Sequence, residues 1–289
     1  MRTIAHISDL HFGRDDSAVT AALLDDLQKQ RFDLLICSGD FTQRARVGQY
    51  QRAADFLKKL PQPQLVIPGN HDIPLWNVFR RFLSPLGRYR KYIQTDLWST
   101  YSDSELFILG INTARPFTFS LSGFWKDGKI SRWQLTELTR IFSQAAPKAV
   151  KVLVTHHPFI PPDGPAAHNI VYGARAALSV LESIGVDILL AGHLHIGYLG
   201  DVRTHHETIK RSMLSIQAGT AISTRRRNQP NAYNLISIDR NHVIVEVRAY
   251  DGKTFATLAR RQFAHMTDAW TELPSVPGVI QRIASRGMD

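Results

Sequence analysis

Hydrophobic positions in this chain fall into short continuous runs, and five of those runs stop at a burst of Asp, Asn or His. Ile4–Ile7 leads into Ser8-Asp9-Leu10-His11, and Leu34–Cys37 into Ser38-Gly39-Asp40. Leu65–Ile67 passes through Pro68-Gly69 into Asn70-His71-Asp72. Val152–Val154 ends at Thr155-His156-His157, and Ile188–Ala191 at Gly192-His193-Leu194-His195. Apolar runs of this length, bounded by turn signals, predict buried strands. Between them, apolar side chains recur at helical spacing over 17–30, 48–60 and 174–184. Ser131-x-x-Gln134 is a capping box that opens a further helix, marked by Leu135, Leu138, Ile141 and Phe142. Strands alternating with helices predict a layered α/β fold. In such a sheet ligands collect at the carboxyl edge, where each of the five bursts would lie.

Later, the pattern changes. From Gly200 onward it is mostly β, with strands predicted over 214–218, 234–238, 243–250 and 257–263 and a turn at Asp251-Gly252-Lys253. Two stretches break the earlier rhythm. Residues 74–98 interleave Trp76, Phe79, Phe82, Leu83 and Tyr89 with Arg80, Arg81, Arg88, Arg90 and Lys91. They read as an ordinary amphipathic helix, or else as a surface for anionic lipid or a groove for nucleic acid. Residues 114–130, with Phe117, Phe119, Phe124 and Trp125, have no clear period and form a candidate substrate loop. The Pro-rich 158–165 is a candidate lid.

Composition narrows the class. At 289 residues and 44% hydrophobic, the chain can bury a large core. No apolar stretch approaches the ~18 residues of a membrane span. The first strand begins almost at once, without signal-peptide architecture, and there is one cysteine, Cys37, inside an apolar run. A buried structural thiol and a cytoplasmic location are therefore expected, the latter extending to the inner membrane face for a peripheral protein. The net charge of +10 and pI near 9.9 imply anionic partners. A small phosphodiester, an anionic membrane surface and nucleic acid all qualify, and a homodimer is a further expectation.

The polar bursts carry chemistry. Side chains two apart on a strand face the same way, as Asp9 with His11 and His193 with His195 would. Carboxylates, an amide oxygen and imidazoles together suit divalent Mn, Fe, Zn or Co. Seven or eight candidate ligands are too many for one ion and point to two, with Asp40 between the first and third clusters as the bridge. A metal pair activates a water and clamps phosphoryl oxygens during in-line attack. One histidine should then stay free of metal to protonate the leaving oxygen.

Asp9-x-His11, Gly39-Asp40, Gly69-Asn70-His71-Asp72, His156 and Gly192-His193-x-His195 resemble, in order and spacing, the motif series of the calcineurin-like metallophosphoesterase superfamily. The resemblance covers residues 4–196. It implies a four-layer αββα sandwich, so that the late strands form a second sheet within a metallophosphoesterase domain over 1–268, followed by a surface arm over 269–289. It also implies that Asp9, His11, Asp40 and His195 hold one metal, and Asp40, Asn70, His156 and His193 the other. His71 becomes the substrate-contacting acid and Asp72 its support. Within the superfamily, the plan is most similar to the class III cyclic-nucleotide phosphodiesterases and the glycerophosphodiesterases. Gly219-Thr220-Ala221, Arg225-Arg226-Arg227, Asn231 and Asn234 also look like that branch. The implied activity is hydrolysis of a small phosphodiester, a cyclic nucleotide first, by attack of a metal-bridging hydroxide, with Mn or Fe favoured. The alternatives are a phosphoesterase or pyrophosphatase acting on a lipid-linked phosphate at a membrane surface, a metal-dependent nuclease, and a non-catalytic scaffold.

Other residues have more than one reading. The family pattern favours His156 over His157 as the ligand, leaving His157 beside the ligands or facing substrate. Arg225 is a candidate phosphate contact, or with its two neighbours a solvated face. His6 reads as a satisfied core histidine and His205-His206 as an exposed pair. His168 sits in the candidate lid.

Overall fold

The computed structural model describes residues 1–117, 127–162, 170–267 and 269–274. The strand-and-helix rhythm is present throughout: β1 (Arg2–Ile7), α1 (Ser17–Lys29), β2 (Leu34–Cys37), α2 (Val47–Lys58), β3 (Gln64–Val66), α3 (Val78–Leu83) and α4 (Gly87–Tyr92). Then come β4 (Trp98–Ser102), β5 (Leu106–Ile111), α5 (Arg132–Phe142), β6 (Val150–Val154), α6 (Ala174–Ile184), β7 (Ile188–Ala191), β8 (Tyr198–Asp201) and β9 (Leu214–Gln217). The chain closes with β10 (Ala232–Ile238), β11 (His242–Tyr250), β12 (Phe255–Met266) and β13 (Ala269–Glu272).

These strands form two mixed sheets. One runs β13-β12-β11-β10-β1-β2-β3, the other β4-β5-β6-β7-β9-β8. β1, β2 and β3 are parallel, as are β5, β6, β7 and β9, so both sheets send several carboxyl ends to one rim. Although the runs look uniformly apolar, they obey the period-two rule of a sheet. Ile4, Leu34, Ile36, Leu65 and Ile67 face the other sheet and pack with Ile108, Val152, Val154 and Leu190 from it. Ala5, Ile7, Leu35 and Cys37 face α1 and α2 on the outside, and Leu109 and Leu153 face α5 and α6. That is the expected αββα sandwich.

Several local expectations fare differently. The capping box closes as predicted, Gln134 N–H donating to Ser131 Oγ at 3.2 Å and Ser131 N–H to Gln134 Oε1 at 3.1 Å. Residues 74–98 are not one helix. Two six-residue helices are separated by Ser84-Pro85-Leu86, and Trp98 already belongs to a strand. Proline at 85 removes a helical N–H and disfavours helix in the residue before it. His205 and His206 are half-buried rather than exposed, the ring of His205 meeting Tyr198 Oη at 3.2 Å. Of the segments set aside for function, Phe119, Phe124, Trp125, residues 163–165, His168 and residues 275–289 lie outside the described residues. The start of the segment expected to be an arm, Ala269–Glu272, pairs with β12 as an edge strand.

His6 is fully buried between the sheets, its Nε2 2.9 Å from Ser38 Oγ, while its Nδ1 has no hydrogen-bond partner. Burial pushes the ring down to about 3. Between that value and the ordinary one near 6.5 the unfolded chain binds a proton that the folded chain refuses, so this contribution is full above pH 6.5 and is lost as pH falls. From pH 7 to pH 5 the loss should be about 2 kcal/mol. Urea denaturation of the protein and of His6→Asn at both pH values measures it, the variant lacking that share of the drop.

Candidate metal centre

The rim where the parallel strands end gathers every candidate ligand. Asp9 and His11 follow β1, Asp40 follows β2, Asn70 and His71 sit in a 3₁₀ turn after β3, His156 follows β6, and His193 and His195 follow β7. The chain turns sharply to do this. Asp9, His11, Asp40, His193 and His195 all have left-handed backbone, with φ of 53°, 47°, 54°, 73° and 57°. That conformation is costly for residues with a Cβ and clusters at functional sites. Two glycines allow the close approach. A Cβ on Gly69 would fall on Asp40 Oδ1 and its backbone N, and one on Gly192 would fall on Ser8 Oγ and lie 2.6 Å from Asp9 Oδ2.

Two groups of ligand atoms meet at Asp40. In the first, His11 Nε2 lies 3.3 Å from His195 Nε2, 3.6 Å from Asp9 Oδ1 and 3.5 Å from Asp40 Oδ2. The two rings stack with centroids 4.9 Å apart. In the second, Asn70 Oδ1 lies 3.1 Å from His156 Nε2 and 3.0 Å from His193 Nδ1, and His156 Nε2 lies 3.4 Å from Asp40 Oδ2. One oxygen of Asp40 thus borders both groups, while its other oxygen accepts the His71 backbone N–H at 2.8 Å. His156 Nδ1–H donates to Ser38 O at 2.8 Å, which leaves Nε2 pointing at the ligands. His157 belongs to the same cluster, packed 4.4 Å from the His193 ring, with its Nδ1 2.8 Å from Thr113 Oγ1.

Electrostatics fit a cation pair. Burial pushes the imidazoles of His11, His193 and His195 down, so their lone pairs are available. Burial also opposes ionisation of Asp9 and Asp40, but the surrounding histidines outweigh it and hold both carboxyls below the usual range. For His156, burial is outweighed by Asp40, whose charge lifts the ring to about 9. Asp9 Oδ1 is buried and lacks a hydrogen-bond partner. A buried carboxylate oxygen without a hydrogen-bond partner, set among imidazoles, is the environment a divalent ion satisfies.

His71 stands edge-on to His11, with ring centroids 4.8 Å apart. Its Nδ1–H donates to Gln43 O at 2.9 Å, and its Nε2 accepts from Arg225 Nη1 at 2.9 Å. Burial pushes this ring down to about 4 against the pull of Asp40. The Asp72 carboxylate accepts from the N–H groups of Gly69, Phe41 and Thr42 at 2.9, 3.2 and 2.9 Å, tying the turn after β3 to the one after β2. Burial and the charge of Asp40 push it up to about 7. Arg226 and Arg227 are exposed, so only the first of the three arginines reaches the centre.

Three further residues act at this site, two of which, Gln43 and Arg44, do not stand out in the sequence. Gln43 orients His71 through its carbonyl. Thr220 Oγ1 donates to Asp9 O at 2.8 Å, which gives the Gly219-Thr220-Ala221 stretch a structural duty. Arg44 lies close enough to oppose the charge on Arg225. A carbonyl contact and a charge brought in by tertiary folding leave no local pattern to read.

Known proteins resemble this chain over part of its length. A 3',5'-cyclic adenosine monophosphate phosphodiesterase of Haemophilus influenzae, CpdA, is 24% identical over 208 residues, 66% of this chain and 69% of that one. A probable cyclic nucleotide phosphodiesterase of Synechococcus is 35% identical over 81 residues, 25% of this chain and 32% of its own. The glycerophosphodiester phosphodiesterase GpdQ of Enterobacter lignolyticus is 36% identical over 94 residues, 29% of this chain and 33% of its own. The chain therefore spans only about a third of the length of the last two. A dimetal phosphatase from Danio rerio superposes with a TM-score of 0.63 at 16% identity, over 89% of this chain and 98% of that one. A purple acid phosphatase from yellow lupin gives 0.59 at 10%, over 89% and 52%. At such identities these two speak for the fold alone. The family model described as calcineurin-like phosphoesterase matches residues 2–197, which end just past His195 and so enclose every ligand of the candidate dimetal centre. With sandwich, rim and motif series in agreement, the chain belongs to the calcineurin-like metallophosphoesterase family.

Proposed function

We propose that this metallophosphoesterase is a phosphodiesterase for a small anionic diester, cyclic nucleotides being the first candidates. The observation that supports it most is the meeting of two ligand groups at Asp40, with His71 Nε2 and Arg225 beside them. Asp9, His11, Asp40 and His195 would hold one divalent cation, and Asp40, Asn70, His156 and His193 the other. Such a pair supplies Lewis-acid charge that acidifies a water and neutralises phosphoryl oxygens.

The protein's own groups then divide the work. Arg225 offers its guanidinium to a non-bridging phosphoryl oxygen, a geometry suited to paired hydrogen bonds. In doing so it releases His71 Nε2. The anionic phosphoryl group opposes the depression that burial imposes on His71, so substrate binding itself favours the protonated ring. The Nδ1–H bond to Gln43 holds Nε2 toward the leaving oxygen, where it donates its proton. Asp72 acts at one remove, fixing the backbone that carries His71. His157, fully buried with its Nδ1 beside Thr113 Oγ1, packs against His193 and would position that ligand rather than meet substrate.

The reading is tested by turnover of Mn-loaded protein on cyclic AMP, bis-para-nitrophenyl phosphate, a glycerophosphodiester and para-nitrophenyl phosphate. Diester turnover above monoester turnover is expected, with cyclic AMP preferred among the natural diesters. Hydrolysis of the monoester alone would contradict it.

A further inference from the structure

Among the described residues, a group of exposed apolar side chains lies close to the centre in sequence. Trp76, Phe79 and Leu83 are 78%, 81% and 82% exposed, and Val78 and Phe82 are also exposed. All five fall within eight residues, on α3 and the loop that enters it. Scattered exposed apolar side chains need no explanation, but a contiguous group of this size marks an interaction site. Hydrogen bonds anchor the segment that carries the group. Arg81, on the same helix, is buried and donates to Pro74 O at 3.0 Å, and Asn77 caps the helix by accepting the Arg80 N–H at 2.9 Å. Trp76 follows His71 by five residues, so their Cα atoms are at most about 18 Å apart.

Charge chooses the occupant. Residues 73–95 contain Arg80, Arg81, Arg88, Arg90 and Lys91 and no Asp or Glu, so this stretch alone carries +5 of the net +10. Arg80 on α3 and Arg90 and Lys91 on α4 are exposed, and Arg90 lines the same cleft as Leu83. A second copy docked face to face would set like charges against each other with no acid in the stretch to pair them. Nucleic acid would match the charge and could stack on Trp76, Phe79 and Phe82, yet the exposed aliphatic Val78 and Leu83 offer it neither stacking nor hydrogen bonds. A bilayer with anionic headgroups satisfies both features, taking aromatic and aliphatic side chains into the headgroup boundary and cations at its surface. We propose that α3 and its entry loop dock the protein peripherally on an anionic membrane surface, with the metal centre near the interface.

Among the described residues no helix is long and apolar enough to cross a membrane, so the contact is one of surface insertion. The test is co-sedimentation of the full chain with vesicles of phosphatidylglycerol and phosphatidylcholine, against vesicles of phosphatidylcholine alone. Binding to the anionic vesicles, weakened by salt, is expected, and Phe79→Ser/Leu83→Ser should reduce it at least about tenfold. Arg80→Glu/Arg90→Glu should reduce it on anionic vesicles specifically. Both pairs are exposed, so turnover of bis-para-nitrophenyl phosphate in solution should persist, which verifies the fold. No binding by the intact protein at low salt would overturn the proposal. So would a dimer in solution that Phe79→Ser/Leu83→Ser converts to monomer, or retention by single-stranded DNA that survives that same substitution while the vesicles are not bound.

Discussion

Asp40→Asn is expected to lower turnover of bis-para-nitrophenyl phosphate by at least about 10³-fold, more than the loss of a single oxyanion donor commonly causes. The argument starts from charge. Of the seven candidate ligands only Asp9 and Asp40 are carboxylates, and one oxygen of Asp40 lies between the two groups, 3.5 Å from His11 and 3.4 Å from His156. Asparagine keeps the shape and can still accept the His71 N–H, so the turn after β3 should survive. What it removes is one of the two carboxylates among the candidate ligands, and with it the charge of the oxygen that would face both cations. Metal content after dialysis, measured by mass spectrometry, should fall from two ions per chain to one or none. A variant that retains two ions and full turnover would deprive Asp40 of its bridging role.

His71→Ala should separate substrates by their leaving groups. Alkoxide departure from a cyclic nucleotide or glycerophosphodiester needs a proton, and losing a positioned acid costs about 10²–10⁴-fold. Para-nitrophenolate leaves without help, so its diester should lose far less. The Nε2 of His71 already accepts a hydrogen bond from Arg225, which places it where a phosphoryl substituent would arrive. Arg225→Met serves as the contrast, because removing a phosphate contact should impair both substrate types alike. Equal losses for His71→Ala on both would leave the ring a binding role only.

Much of this architecture was legible because its signals are local. An apolar run followed at once by Asp, Asn or His states both the strand and its functional end, and five such statements predict one rim. The helices of 17–30 and 174–184 likewise declare themselves by spacing. What stayed illegible depends on distance along the chain. Arg225 meets His71 across 154 residues, and Thr220 meets Asp9 across 211. The short edge strands β4 and β8 lack the apolar continuity of central strands, since one flank of each faces outward. The apolar residues of 76–83 looked like the buried stripe of an amphipathic helix, because pattern alone does not say whether a partner for that stripe exists. Nor did it reveal that five ligands would sit in left-handed backbone.

The rim also has a mechanical meaning. Asp9, His11, Asp40 and Asn70 hang from one sheet, and His156, His193 and His195 from the other. Without a cation, that end of the sandwich is fastened by bonds such as His156 Nδ1–H to Ser38 O and His193 N–H to Asp9 Oδ2. Ions shared between the two sets would rivet the sheets together, clamping residues nearly two hundred positions apart. Any ion that binds only the folded chain adds to its stability by mass action. Metal supply would thus govern how long the molecule lasts as well as how fast it works, and starvation for the ion would be felt first as a loosening seam.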